Sequence, residues 1–141
     1  VFVCPAGHPL LNVGHPPLSA LEPYPFLLRE SGSGTRSAMR TVTAKQSFNP
    51  RMSTEMNSNE TIKQAVVAGL GLSFLSLHSL GLELQTGALC VLHVPGTPVM
   101  RAWNIVHMPS RSLSPAAEAF RYFILEHGEE FLAAQDHRAL Q

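Results

Sequence analysis

Hydrophobic and polar positions between residues 24 and 75 repeat one unit twice: an apolar strand, a short Ser/Gly/Asn turn, and an amphipathic helix. In the first copy Phe26-Leu27-Leu28-Arg29-Glu30 reads as the strand and Ser31-Gly32-Ser33-Gly34-Thr35-Arg36 as the turn. A helix follows from Thr35 to about Lys45, with Ala38, Met39 and Val42 on one face and Phe48-Asn49-Pro50 ending it. In the second copy Met52, Thr54 and Met56 alternate with Ser53 and Glu55, as in a strand. Asn57 stands three residues before Glu60, a spacing that predicts a capping box, and Ile62, Val66 and Leu70 then recur every fourth residue. Gly69 and Gly71 stop that helix, and the run from Leu72 to Leu77 predicts a third parallel strand.

The later pattern continues this alternation. Residues 78–86 predict a short helix, Leu89 to Val94 a strand, Pro95-Gly96-Thr97-Pro98 a turn, and Met100 to His107 a strand ending at Pro109. Ser114 as N-cap and Pro115 at the first helical position open a last helix, whose stripe of Phe120, Phe123, Ile124, His127 and Phe131 must dock on something. The tail past Ala134 is expected to fray. At the other end Val1-Phe2-Val3 reads as the end of a buried strand. Residues 5–25 hold six of the eleven prolines, so this stretch reads as a crossing with a domain boundary. Strands and helices in this order define an α/β fold, a mostly parallel sheet flanked by helices.

Composition narrows the possible functions. The 141 residues suit one domain, or one and a piece of another. Lys plus Arg and Asp plus Glu are 10 each, and charged residues make up 14%. No long-range field recruits nucleic acid or an anionic membrane, so this chain by itself is a poor DNA binder. Cys4 and Cys90 have no partner Cys or ligand-spaced His nearby in sequence, which reads as two separate thiols in a reducing, cytoplasmic compartment with no metal site. No cofactor motif stands out, and no apolar run approaches the ~20 residues of a membrane span.

The candidate chemistry lies at the two turns. In a shared parallel sheet both turns and both helix starts emerge at the carboxyl edge, where open α/β folds bind ligands. Gly32 and Gly34 let backbone N–H groups approach a ligand. Ser31, Ser33 and Thr35 offer hydroxyls, and Arg36 adds a planar cationic fork, a set suited to carboxylate or phosphate. Asn57, Ser58 and Asn59 supply amide and hydroxyl groups beside them, and Cys4-Pro5 at the crossing is expected to face the same cleft. Each residue also has a purely structural reading. Ser-Gly-Ser-Gly suits a turn with an N-cap, no Lys follows the glycine as in a phosphate loop, and Asn57 and Glu60 suit a helix cap. Arg36 suits a surface pair with Glu30, and Cys4 a small buried residue. Gly32-Ser33-Gly34 lacks the outer spacing of a nucleophile elbow, so no catalytic residue is assigned and the chain is not read as an enzyme.

An ordered set of segments resembles the effector-binding domain of LysR-type transcriptional regulators, closest to their Calvin-cycle branch, CbbR. It comprises Gly7-His8-Pro9-Leu10, Pro25 to Arg36, Glu55 to Gly71, Leu75-Ser76-Leu77-His78, Leu82 to Gly87, and Met100 to His107. The resemblance implies a Rossmann-like subdomain of a type II periplasmic-binding-protein-like domain. Residues 1–8 would end subdomain I and cross over, 9–98 form subdomain II, 99–134 return to subdomain I, and 135–141 form a tail. It implies a metabolite sensor for carbon-fixation genes, with a phosphorylated metabolite or nicotinamide nucleotide in the cleft between subdomains. It further implies self-association as dimer and tetramer in the parent protein, and DNA contact only through an N-terminal winged helix-turn-helix outside this chain. Val1 to Val3, the Trp103 strand and the Phe120 stripe are then expected to have lost neighbours. A periplasmic-type solute-binding protein of the same fold is the alternative.

Overall fold

The computed structural model describes the backbone of residues 1–44 and 48–139, and side chains as far as residue 133. The expected end of the first helix at Lys45 lies outside the described residues. Val1–Val99 form one compact unit and Met100–Gln141 a second.

The first unit is built on a five-stranded sheet of β1 (Phe2–Pro5), β2 (Pro25–Arg29), β3 (Met52–Met56), β4 (Leu72–Phe74) and β5 (Leu89–Leu92), in the order β3-β2-β4-β1-β5. β2 runs parallel to β3 and to β4, whereas β1 runs antiparallel to β4 and β5. The sheet is therefore mixed, with β1 alone reversed.

Strand pleating sends alternate side chains to opposite faces, and the two helices of the repeat take one face each. Phe2, Cys4, Phe26, Leu72, Phe74 and Leu92 pack with Ala38 and Met39 of α1 (Gly34–Thr43). Leu10, Leu18 and Leu21, from two short 3-10 turns of the proline-rich stretch, join that layer. On the other face Val1, Val3, Leu27 and Leu89 pack with Ile62, Ala65 and Val66 of α2 (Asn59–Val67) and with Leu80. Ser73 points into the second layer's sheet, and its hydroxyl donates to the Leu27 carbonyl at 2.7 Å, which satisfies a polar group that is otherwise fully buried. The short α3 (Gly81–Gln85) leads into β5.

Several details depart from the sequence pattern. Ser58, not Asn57, caps α2: its Oγ accepts from the Thr61 N–H at 3.3 Å, because the helix begins one residue later than the Asn57/Glu60 spacing implies. Leu70 is 59% exposed rather than sheet-facing, since α2 ends at Val67 and Gly69 turns the chain at φ +77°. Gly71 serves a different purpose, because a Cβ there would stand 2.6 Å from the Pro25 carbonyl oxygen of β2. Val1 to Val3 keep their neighbours, being buried between β4 and β5. The proline-rich stretch 5–25 lies inside the compact unit Val1–Val99.

In the second unit, residues 100–107 form no strand among the described residues, and Trp103 is 70% exposed. A strand exists only through hydrogen bonds to a neighbour, and the alternation of Trp103, Ile105 and His107 finds none there. α4 (Pro115–Ala139) starts as expected, the Ser114 Oγ accepting from the Ala117 N–H at 3.3 Å. It continues past Ala134 instead of fraying there, and Phe120, Phe123 and Phe131 are exposed.

Candidate functional site

The chain passes from β2 to β3 on one side of β2 and returns to β4 on the other. By the topology of open α/β sheets, that reversal marks the carboxyl ends of β2 and β4 as the crevice edge, the place where such sheets take ligands. Three turns rim it: residues 30–34 after β2, 57–59 after β3, and 75–78 after β4.

The first turn is tightly specified. Ser33 N–H donates to the Glu30 carbonyl at 3.1 Å, and Gly32 sits at φ +93°, the position of a type II turn that favours glycine. Ser33 then caps α1, its Oγ accepting from the Thr35 N–H at 3.2 Å. The first turn of α1 contains no acidic residue, so the positive end of the helix faces the edge uncompensated by its own side chains. The second turn brings Ser58 and the start of α2 alongside, with Glu60 in its first turn.

Register explains how charges are shared between the turns. Glu55 stands opposite Leu28 on the α1 face and so reaches Arg36 of α1, whose Nη1 pairs with the Glu55 carboxylate and also donates to the Arg29 carbonyl at 2.8 Å. Arg29 stands opposite Met56 on the α2 face, where its Nη1 donates to Asn59 Oδ1. Arg29 also grips Glu30 through Nε at 2.7 Å and Nη2 at 2.9 Å. That bidentate contact holds the Glu30 carboxyl below its ordinary range and raises the Arg29 pKa. The expected Arg36–Glu30 pair is thus replaced by two crossed pairs. Arg29 and Glu55 are the participants that the sequence reading missed, and the signal for both was strand alternation beside the turn.

Behind the rim, Lys63 bridges Glu60 at 2.7 Å and Glu83 at 2.8 Å. Burial pulls the Lys63 pKa down, and its hydrogen bonds to the two carboxylates more than reverse this, leaving it raised. Glu60 is lowered through its bonds to Lys63 and Gln64.

The structure brings together Ser31, Ser33, Gly34, Thr35, Arg36, Asn57, Ser58 and Asn59, but not Cys4 and Pro5. Because β1 is antiparallel to β4, Phe2 lies opposite Phe74 at the crevice end, while Cys4 and Pro5 lie opposite Cys90 and Leu89 at the far end. Cys4 is fully buried in the α1-face layer, and burial, reinforced by the charge of Cys90, pushes its thiol up to about 12. Among the described residues, Arg36 Nε and Nη2, the Ser31 and Thr35 hydroxyls and the Asn57 amide make no hydrogen bond, so they remain available to a ligand. No group of three or more metal-ligating side chains occurs among the described residues, and no described helix is long and apolar enough to cross a membrane.

Strand order, helices on both faces and polar turns at one edge are the features of an α/β ligand-binding domain. The chain belongs to the LysR substrate binding domain family, which matches residues 1–129. It is similar to the HTH-type transcriptional regulator CfxR of Cupriavidus necator, at 48% identity over 96% of this chain and 43% of the relative. It is also similar to CbbR of Sinorhizobium medicae, at 41% identity over 94% of this chain and 42% of the relative. The chain thus spans less than half the length of these curated relatives. Among solved structures, the CcmR regulatory domain of Synechocystis PCC6803, in complex with 2-PG, superposes with a TM-score of 0.80 at 32% identity. That likeness covers 89% of this chain and 61% of the other. The effector-binding domain of QuiR, at TM-score 0.69 and 20% identity over 92% of this chain and 61% of that one, shares the fold. The LysR-type resemblance read from the sequence motifs is borne out, and these relatives are transcriptional regulators.

Proposed function

We propose that this chain is the metabolite-sensing part of a cytoplasmic, CbbR-like regulator of carbon-fixation genes. In this reading a small phosphorylated metabolite or nicotinamide nucleotide binds between the Ser31–Arg36 and Asn57–Asn59 turns. One observation carries it: two capped helix starts emerge at the carboxyl ends of adjacent parallel strands, with two Arg36 nitrogens unengaged between them. Backbone N–H groups, hydroxyls and a guanidinium fork converging at one edge match a phosphate better than a neutral ligand. The similarity to a regulatory domain that binds 2-PG, a small phosphorylated metabolite, supports the same ligand class.

In this account a ligand contacts this edge and a facing subdomain, changes the angle between them, and so biases how a dimer or tetramer of the parent regulator presents its DNA-binding heads. The chain's own balanced charge supports assigning DNA contact to a winged helix-turn-helix elsewhere in that parent.

Calorimetric titration of 2-PG, other phosphorylated metabolites and reduced nicotinamide dinucleotide phosphate, into the chain and its Arg36→Ala variant, tests the reading. Binding to the first that weakens at least tenfold in the second is expected. Equal binding by both would remove Arg36 from the site, and no binding of any anion would overturn the ligand class.

A further inference from the structure

Cys4 and Cys90 lie 86 positions apart in sequence, yet they are direct partners across β1 and β5. Two residues along the same ladder, the Ala6 N–H donates to the Ala88 carbonyl at 3.3 Å, which marks Ala6–Ala88 as a hydrogen-bonded pair. The antiparallel pattern repeats every second residue, so Cys4–Cys90 is one too, with Cα atoms about 5.5 Å apart. A disulfide accepts a Cα separation of roughly 4.4–6.8 Å. Both side chains lie on the α1 face, Cys4 within that core layer and Cys90 packed against it. The Cys4 Sγ is already turned toward β5, donating to the Cys90 carbonyl at 3.7 Å.

We propose that Cys4 and Cys90 are a reversible redox pair that closes to an intramolecular disulfide on reaction with a small-molecule disulfide such as oxidised glutathione. Half-buried Cys90 is the entry point, since Cys4 is fully buried. The Cys90 thiolate attacks one glutathione sulfur, the glutathione S–S bond breaks, and one glutathione thiolate leaves and takes a proton. Cys4 then gives up its proton and attacks the Cys90 Sγ, forming the Cys4–Cys90 bond and releasing the second glutathione. The protein dithiol loses two electrons and two protons, and the glutathione disulfide gains them. The second step is the slow one, because the Cys4 thiol titrates only at about 12, and it accelerates as pH rises. Cross-strand Cβ atoms stand about 4.5–5.5 Å apart, against about 3.8 Å in a relaxed disulfide. The bridge must therefore draw β1 toward β5, which makes it readily reducible and suits a reversible link.

The full chain is incubated with oxidised glutathione, blocked by alkylation, and measured by intact and peptide mass spectrometry. The expected product is a monomer lighter by two hydrogen atoms, with the Cys4 and Cys90 peptides joined. It should be resistant to alkylation, reopened by dithiothreitol, and formed faster as pH is raised. The Cys4→Ser variant should stop at a glutathione adduct on Cys90. The proposal fails if the wild-type chain also stops at that adduct, if it links only between molecules, or if it stays reduced where the urea-unfolded chain closes the bond.

Discussion

Arg36 donates from Nη1 to the backbone carbonyl of Arg29 at 2.8 Å, which ties the first turn of α1 to the last residue of β2. The same guanidinium pairs with Glu55 of β3, so one side chain fastens two strands and a helix at the crevice. A charged donor to a backbone carbonyl contributes about 1.5–3 kcal/mol, and a partly exposed pair much less. Arg36→Met is expected to cost about 1–2 kcal/mol by urea unfolding, after allowing for that exposure. No measurable loss would mean that the contact is solvated in solution.

Ser33 separates stability from binding. Removing its cap in Ser33→Ala should cost about 1 kcal/mol. Ser33→Asp keeps an acceptor for the Thr35 N–H and places a negative charge at the helix start, which favours folding. The same charge opposes an incoming anion. Urea unfolding and calorimetry on both variants should show Ser33→Asp folded at least as stably as wild type but stripped of anion binding. A variant that still bound 2-PG normally would move the ligand away from this turn.

Gly69 and Gly71 should respond differently to alanine. At Gly69 only the backbone conformation resists, φ being +77° with open space around the added methyl, so the cost is about 1–2 kcal/mol. At Gly71 the methyl would meet backbone of β2, which cannot swing aside, and a cost of about 2–3 kcal/mol is expected. Chemical denaturation of the two variants checks the order, and a reversed order would contradict the close approach of β2 and the β4 lead-in.

The repeat of strand, turn and helix was legible because pleating and helical periodicity leave different spacings, and Ala38, Met39, Ile62 and Val66 lie where those spacings put them. Direction and register were not legible. Nothing in Val1-Phe2-Val3 says that this strand runs against its neighbours, and that reversal is what carries Cys4 and Pro5 away from the crevice and sets Cys4 beside Cys90. The Arg36–Glu55 pair depends likewise on a register the sequence does not display, that of β3 beside β2, which sets Glu55 opposite Leu28 on the α1 face. Residues 100–107 show the converse limit, since alternation marks a segment that suits a strand but cannot supply the partner that makes one.

His8 introduces a pH dependence. Its Nδ1 accepts from the Leu10 N–H at 3.3 Å and its ring meets Tyr24 edge-on, with centroids 4.6 Å apart. Burial lowers its pKa below the ordinary 6.5. The native state therefore favours the neutral ring, and below that ordinary value the unfolded chain binds the proton first. Its contribution to stability is fully present above 6.5 and falls as pH drops toward the lowered native value. His8→Asn retains an acceptor and does not titrate. Urea unfolding between about pH 7.5 and pH 5 should show a shallower loss in the variant, and equal slopes would contradict the assignment.

The most direct test of the central claim is a titration of 2-PG into the isotopically labelled chain, followed by backbone amide resonances. Saturable shifts centred on Ser33, Gly34, Thr35, Arg36 and Asn57 to Asn59 are the predicted result. Shifts confined to the opposite edge around Pro5 and Leu89, or none in a folded chain at saturating ligand, would contradict it.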